Sequence, residues 1–320
     1  MPVLQNKIDF AVVIRVKHAN PNGDPLNGNR PRTDYNNYGE ITDVCLKRKM
    51  RDRLQENGHA IYVQSDDSKV DGARSLRERA ESDEWGLGKN AFMLKAANKK
   101  KMAKKTGTGS TSDAEVTDVG AGETKKNETI RKACEKWIDV RAFGNLFAWS
   151  DKSNGKQEDE ENKKDNSSSV SIGIRGPVSI HSAFSVQPVE VTSTQITKSV
   201  NAEGDGTKRG SDTIGMKHRV DDGVYVFYGS MNPQLAERTN FSDADAEAVK
   251  QILPRLFEND ASSARPEGSM EVLKVIWWKH NCKSGQCSSA KVHRSITVGP
   301  TGEIEVAALD GLEPEVVNGF

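Results

Sequence analysis

Lys47, Arg48, Lys49, Arg51 and Arg53 fall within one short predicted helix that opens at Thr42-Asp43. Cations at that density suit a phosphate-rich ligand, because Lys and Arg displace counterions from phosphates and helix N-terminal amides add donors. Further basic groups recur along the chain: Arg30 and Arg32 just before the helix, a lysine run at 99–105, Lys208-Arg209, and Lys217-His218-Arg219. A binder of single strands also needs an apolar side chain to stack on or wedge between bases. Met216, beside Lys217, His218 and Arg219, is placed for that role.

Other residue types admit other chemistry. Asp24, Asp34 and Asp43 could form a hydrolytic carboxylate cluster, or could cap turns and the helix. His280, Cys282, Cys287 and His293 could surround a metal. Cys-x4-Cys can ligate zinc, but these histidines do not follow a finger spacing, and polar loop residues are the competing reading. No His-Glu-x-x-His, Gly-x-Ser-x-Gly or phosphate-loop motif occurs. Gly204–Gly210 is the nearest to a phosphate loop and has the wrong spacing. Gly223–Gly229 only echoes the RNA-recognition signature, so no base stacking on a sheet face is expected. These patterns predict no catalytic residue, no cofactor and no metal.

The formal net charge is zero, yet it is segregated. From Ser295 to Phe320 there is no Lys or Arg, while Glu303, Glu305, Asp310, Glu313 and Glu315 are all acidic. The remainder is therefore net basic, and local patches rather than the total govern binding. No leader-like or membrane-length apolar run is present, and the four cysteines do not form a disulfide framework. The expectation is a soluble cytoplasmic protein with reduced thiols and no membrane partner.

The elements that must position these groups follow from periodicity. Residues 8–18 read as a buried strand, and 19–40 as a long Asn/Gly/Pro/Asp loop of functional length. Leu46, Met50 and Leu54 give the helix its apolar line; Lys47 and Arg51 flank one side of it, Lys49 and Arg53 the other. Ala60–Val63 reads as a short strand and 66–98 as mostly helical. A helix near Lys126 leads to the apolar stretch Trp137–Ala148, and 151–169 reads as a mobile loop tip. Strands are expected over 170–180, over 189–200 and 213–220 as a long hairpin, and over 223–229 and 271–278. Ser242 should cap an amphipathic helix to Phe257. The order predicts an α+β, ferredoxin-like sheet with two large insertions.

Taken in order, several motifs resemble one family. They are Asn20–Pro25, Gly28–Arg32, Thr42–Lys49 with Arg51, Asp139–Gly144, Arg175–Val178 and Met216–Val220. The chain resembles the guide-RNA-binding backbone subunits of type I-C CRISPR surveillance (Cascade) complexes, of the CRISPR-associated RAMP superfamily. That resemblance implies a hand-like shape. A modified ferredoxin-like (RRM-like) palm would occupy 1–65 with 170–188 and 222–280. A helical fingers insertion would occupy 66–150 and a β-hairpin thumb 189–221; the flexible loop 151–169, read from its composition, matches nothing in the family, and an acidic C-terminal segment remains at 281–320. It implies a non-catalytic scaffold that polymerises along guide RNA. Each copy would displace a nucleotide at intervals and present the rest for pairing with target DNA. Its partners would be guide RNA, target DNA, further copies of itself, other Cascade subunits and a recruited helicase-nuclease. By matching positions, Lys47 and Arg51 would contact phosphates, with Arg48 beside them. Met216 would be the wedge, flanked by Lys217, His218 and Arg219. Asn22, Arg30, Arg32, Arg141 and Arg175 would be further contacts. The alternatives are a metal-dependent RNA-processing nuclease using the Asp24/Asp34 loop and a stand-alone single-strand binder.

Overall fold

The computed structural model describes residues 2–93, 119–150, 169–197 and 214–320. The lysine run 99–105, most of the 151–169 loop and Lys208-Arg209 lie outside the described residues. In chain order the elements begin with β1 (Ile8–Ala19), β2 (Gly23–Asp24), β3 (Arg30–Pro31), β4 (Tyr38–Ile41) and α1 (Asp43–Glu56). Next come α2 (Leu76–Glu81), α3 (Lys89–Phe92), α4 (Val119–Lys136), α5 (Ile138–Phe143), β5 (Gly144–Ser150) and β6 (Ser169–Arg175). Then follow β7 (Val178–Ile180), β8 (Ala183–Pro188), β9 (Val191–Thr197), β10 (Ile214–Met231), α6 (Pro233–Thr239) and α7 (Asp243–Ile252). The chain closes with β11 (Met270–Lys279), α8 (Ser289–Arg294), β12 (Ile296–Val298), β13 (Ile304–Val306) and β14 (Pro314–Asn318). The helices and strands divide between two compact units, Met1–His59 with Pro177–Phe320, and Ala60–Gly176.

The larger unit is built on an antiparallel sheet in the order β14-β11-β1-β10-β8-β4, with β7 and β9 also on β10. Its central strand, β1, is β-branched and buried on both faces, as a strand covered on both sides must be. Phe10 stacks on Trp277 at 5.4 Å and meets Phe227 edge-on at 6.4 Å, locking β1 to both neighbours. One face is covered by α1 and α7. Thr42 caps α1 by accepting from the Cys45 amide at 3.3 Å, and Leu46, Met50 and Leu54 are fully buried. A Ser242/Asp245 capping box opens α7, whose Val249 and Ile252 are buried. On another cluster, Ala11, Val13, Val226, Ile276 and Trp278 pack with Val292, Ile296, Leu309 and Leu312 from the C-terminal segment.

Three sequence expectations change here. Residues 281–320 are more than an acidic segment: they supply α8, the β12–β13 hairpin and the sheet strand β14, paired to β11 from Trp278↔Pro314 to Lys274↔Asn318. The 19–40 loop contains the β2–β3 pair and β4, which pairs with β8. The expected break between 220 and 223 is absent. β10 runs unbroken from Ile214 to Met231, because Asp222 is held by Arg15 at 3.0 Å and Gly223 stays in register with Val16.

In the smaller unit, Tyr62, Phe92, Trp137 and Phe147 form an aromatic core with Ala133, Cys134 and Val140 beside the β5–β6 pair. Ala60–Val63 is not a strand. Its amides are taken by a buried carboxylate, Asp139, which accepts from Tyr62 N at 2.8 Å and Val63 N at 3.0 Å. Of the helical stretch expected over 66–98, the described part forms only α2 and α3. Gly176 allows a close crossing, since a Cβ there would lie 2.2 Å from the Ala142 carbonyl oxygen.

Candidate nucleic-acid interface

The loop that precedes α1 is held by its own asparagines. Asn20 donates to the Asn29 carbonyl at 2.6 Å. The Asn22 Oδ1 accepts from both the amide and the hydroxyl of Thr42, each at 2.9 Å, and its carbonyl accepts from Arg32 N at 3.1 Å. Asn22 therefore fastens the loop to the helix cap. Replacing it with Ala should destabilise the larger unit by about 1–2 kcal/mol, since it strands a half-buried amide and hydroxyl at a cap. Denaturant melting with an unchanged slope is the check. Burial pushes the Cys45 thiol up, so this half-buried side chain, 3.9 Å from the Pro21 carbonyl, is a packing residue rather than a nucleophile.

The loop carboxylates are each engaged in local structure. Asp24 accepts from Leu26 N at 3.2 Å and faces Arg32 at 3.3 Å. Asp34 accepts from the amides of Asn36 and Tyr38 at 2.8 and 2.9 Å. Asp43 pairs with Lys47 at 2.9 Å. They are spread over turns and a helix start, which is the capping reading of these residues.

On α1 the cations divide by face. Lys49 and Arg53 are buried and paired with Asp260 and Glu56. Lys47 and Arg48 are half-buried and form i,i+4 pairs with Asp43 and Asp52. Arg51 is half-buried on the same helix. A phosphate on this face would exchange with those carboxylates.

Arg30 reaches from the loop to the β9–β10 hairpin. Its guanidinium donates to Ser193 Oγ at 2.8 Å and to the Val191 carbonyl at 3.4 Å, and Ser193 Oγ lies 2.8 Å from His218 Nδ1. Arg30 and His218 thus meet on one hydroxyl. The hairpin register pairs Met216 with Gln195, Lys217 with Thr194, His218 with Ser193 and Arg219 with Thr192. Because strand side chains alternate, the Met216–Arg219 run divides. Met216 and His218 share one face with Ile214; Lys217 and Arg219 share the other with Ile196. Met216, Ile214 and Ile196 are exposed, unusual for three large apolar groups on one short hairpin.

The Lys217/Arg219 face borders a cleft of about 330 Å³ lined by His18, Thr194, Ile196, Ser263, Ala264 and Pro266. His18 sits at the last turn of β1 with φ +52°, while Lys17 and Ala19 on either side keep register with Asp222 and Val220. The register does not shift across His18, so its left-handed backbone turns the ring without inserting a residue into the strand. Its Nδ1 lies 3.7 Å from Asp221 Oδ1, which also accepts from Arg219 Nε at 3.0 Å; Asp221 Oδ2 accepts from Thr192 Oγ1 at 2.6 Å. Those hydrogen bonds, Thr192's first and then Arg219's, hold the Asp221 carboxyl below the usual range. Nothing in the sequence marks His18, since a left-handed histidine carries no local signature.

In the smaller unit, Arg141 donates to the Cys134 carbonyl from α5, and Arg175 is exposed at the end of β6 opposite Gly144.

The two histidines considered for a metal are engaged elsewhere. His280 is fully engaged: its Nε2 lies 2.9 Å from Asp9 and its Nδ1 accepts from Gln286 N at 2.9 Å. His293 lies against Gly229 O and Asp9 at 3.3 and 3.6 Å. Among the described residues no group of three or more His, Cys, Asp or Glu is arranged to hold a metal ion. Among them, too, no helix is long and apolar enough to cross a membrane.

The chain is 29% identical over 272 residues to a CRISPR-associated protein Cas7 of Haloferax volcanii, covering 84% of this chain and 69% of that one. Similar solved structures include a chain of a CRISPR RNA-guided surveillance complex in a pre-nicking state (TM-score 0.44, 17% identity, 85% of this chain and 78% of that chain). Another is a chain of a CRISPR RNA-guided surveillance complex (TM-score 0.42, 14% identity, 93% and 77%). A family model described as CRISPR-associated protein Cas7 matches residues 6–310, nearly the full length, and the chain accordingly belongs to the Cas7 family.

Proposed function

We propose that this chain is a guide-RNA-binding backbone subunit of a CRISPR surveillance complex of type I-C. The observation that carries the reading is the meeting of Arg30 with Ser193 and His218. It joins the basic loop before α1 to a hairpin that exposes Met216 and Ile214 on one face and Lys217 and Arg219 on the other. Cations along a track with exposed apolar side chains between them suit a single strand held by its backbone. In this reading the sheet is a ferredoxin-like palm, supported by the β11-β1-β10-β7/β8 portion of the sheet, which repeats the 4-1-3-2 order of that fold. The Ala60–Gly176 unit supplies the fingers and the β9–β10 hairpin the thumb. Met216 displaces a nucleotide at intervals, and the bases between stay available to pair with target DNA. Further copies of the chain, other Cascade subunits and a recruited helicase-nuclease complete the assembly.

The test is binding of single-stranded RNA across a salt series. The Lys47→Ala, Arg51→Ala double variant should weaken affinity by about tenfold or more on every sequence and flatten the salt slope by roughly two, one for each phosphate that is no longer neutralised. Unchanged affinity and slope would remove α1 from the interface. Cleavage of the RNA that stops with chelator and with Asp24→Ala would replace the scaffold by a metal-dependent nuclease. A one-to-one complex at every RNA length would replace it by a stand-alone binder.

A further inference from the structure

The two faces of the β9–β10 hairpin differ in what lies against them. The Met216/His218 face meets Arg30 through Ser193. The Lys217/Arg219 face looks into the cleft closed by His18 and the 263–266 turn. From this asymmetry we propose that the cleft is a subsite for one nucleotide of a bound single strand, with its phosphate on Lys217 and Arg219 beside His18 and its base against Ile196 and Pro266. The proposal rests on the RNA-binding reading above and adds a place for one nucleotide that the cation pattern alone does not provide.

Four features support it. First, size: about 330 Å³ lies at the lower end of the roughly 300–1,000 Å³ typical of small-ligand pockets, room for one nucleotide and not for a stack. Second, the lining is two-sided. Ile196, Ala264 and Pro266 offer apolar wall, while the cations of Lys217 and Arg219 and the imidazole of His18 meet at the same opening. A nucleotide has that division, an apolar face and an anion. Third, the polar groups that remain, the hydroxyls of Thr194 and Ser263, can donate or accept, which tolerates any base and matches a site that does not read sequence. Fourth, the wall is anchored. Asn20 N donates to the Ala264 carbonyl at 2.9 Å, Lys17 N to the Ser269 carbonyl at 2.8 Å, and Asp221 fixes Arg219. The cleft is therefore held by backbone bonds from β1 rather than by side chains alone.

His18 has a particular part. A left-handed backbone at a histidine is uncommon and strained. Here it places the ring in the cleft lining while β1 and β10 stay in register on either side, Lys17 with Asp222 and Ala19 with Val220. His18 shares Asp221 with Arg219, so its imidazole helps to hold the arginine at the cleft mouth. We assign it as a positioning residue for Arg219.

The experiment uses the full chain with two probes, a short oligouridine and the same oligomer carrying one abasic position. Loss of a base from the subsite should weaken wild-type binding by about fivefold, the low end for a base against a protein wall. Ile196→Ala, at an exposed position that folding tolerates, should remove the difference between the probes. Lys217→Ala should weaken both probes equally and lower the salt slope by about one. His18→Asn keeps a residue type that accepts the left-handed backbone. It should weaken both probes without changing the slope, whereas a merely structural histidine would change the melting curve and neither affinity. 4-Thiouridine crosslinks should map to the peptides bearing Ile196 and Pro266. If RNA binds but its base dependence is erased by Met216→Ala and not by Ile196→Ala, or its crosslinks fall only on the Met216/His218 face, the subsite is overturned and the RNA-binding reading stands. If neither probe binds, both are overturned.

Discussion

Asp9→Ala should lower the unfolding free energy of the larger unit by roughly 3–5 kcal/mol, the cost of breaking a buried charge pair from one side. Asp9 is fully buried on β1. Its Oδ2 accepts from His280 Nε2 at 2.9 Å and lies 3.2 Å from Lys7 Nζ, and its Oδ1 lies 3.6 Å from His293. Truncation leaves an ammonium that is only 14% exposed and an imidazole N–H without their acceptor. Asp9→Asn keeps the shape but not the charge and should cost less. The midpoint of denaturant unfolding, at unchanged slope, measures both. The pH dependence has a definite sign. Burial alone raises the Asp9 carboxyl, but hydrogen bonds from His280 and Ser289 and the charge of Lys7 outweigh it, and its folded value lies below 3.8. That stabilisation is complete above about pH 4 and is lost as the pH falls through the folded value. His293 acts over a higher range. Burial depresses it below its ordinary 6.5, so the unfolded chain takes up the proton first and stability declines as the pH falls from about 6.5. His293→Gln should remove that decline and leave the lower limb due to Asp9. A wild-type stability that stayed flat from pH 7 to the carboxylate range would contradict the His293 assignment.

In the smaller unit the largest effect is expected from Arg79→Ala, again about 3–5 kcal/mol. The side chain is 5% exposed. Its Nε and Nη2 hold both oxygens of Asp71, the latter at 2.8 Å, and its Nη1 donates to the Tyr62 carbonyl at 2.9 Å. The variant strands the Asp71 carboxylate, which is itself 1% exposed. It also frees the segment whose amides Asp139 holds from the other side. Hydrogen exchange at the Tyr62 and Val63 amides is the direct readout, and both should exchange far faster than in the parent. The double variant Arg79→Ala, Asp71→Ala should cost less than the sum of the two single changes, because the second removes the charge that the first exposed. Additive losses would show that the pair is not coupled.

Much of the frame was legible because its signals are local. β1, α1, α7 and β11 follow from apolar runs and i, i+4 spacing, and the Thr42 and Ser242 caps from residue type. What was not legible depends on partners distant in sequence. Pro314–Asn318 has little strand character of its own and is extended because β11 offers an edge. Ala60–Val63 looks like a strand and is not, because Asp139 satisfies its amides. The site divides in the same way. The cations were visible as residue types, but the contact between Arg30 and Ser193 spans 163 positions. The Met216–Arg219 run reads as one patch until strand alternation sends its members to opposite faces. His18, which closes the cleft, is marked only by its left-handed backbone, which the sequence does not show.

The unbroken length of β10 has a mechanical meaning. One end of the strand is the hairpin, and the other lies beside β1 in register from Ala19↔Val220 to Ile8↔Met231. A pull on anything gripped by the hairpin runs along the strand axis. It therefore loads the rungs to β1 together, in shear, instead of unzipping them one after another, and with β11 on the far side of β1 the load spreads into the sheet. A break at Asp221-Asp222-Gly223 would have made the hairpin a hinged flap. A continuous β10 makes it a lever arm rooted in the hydrophobic core.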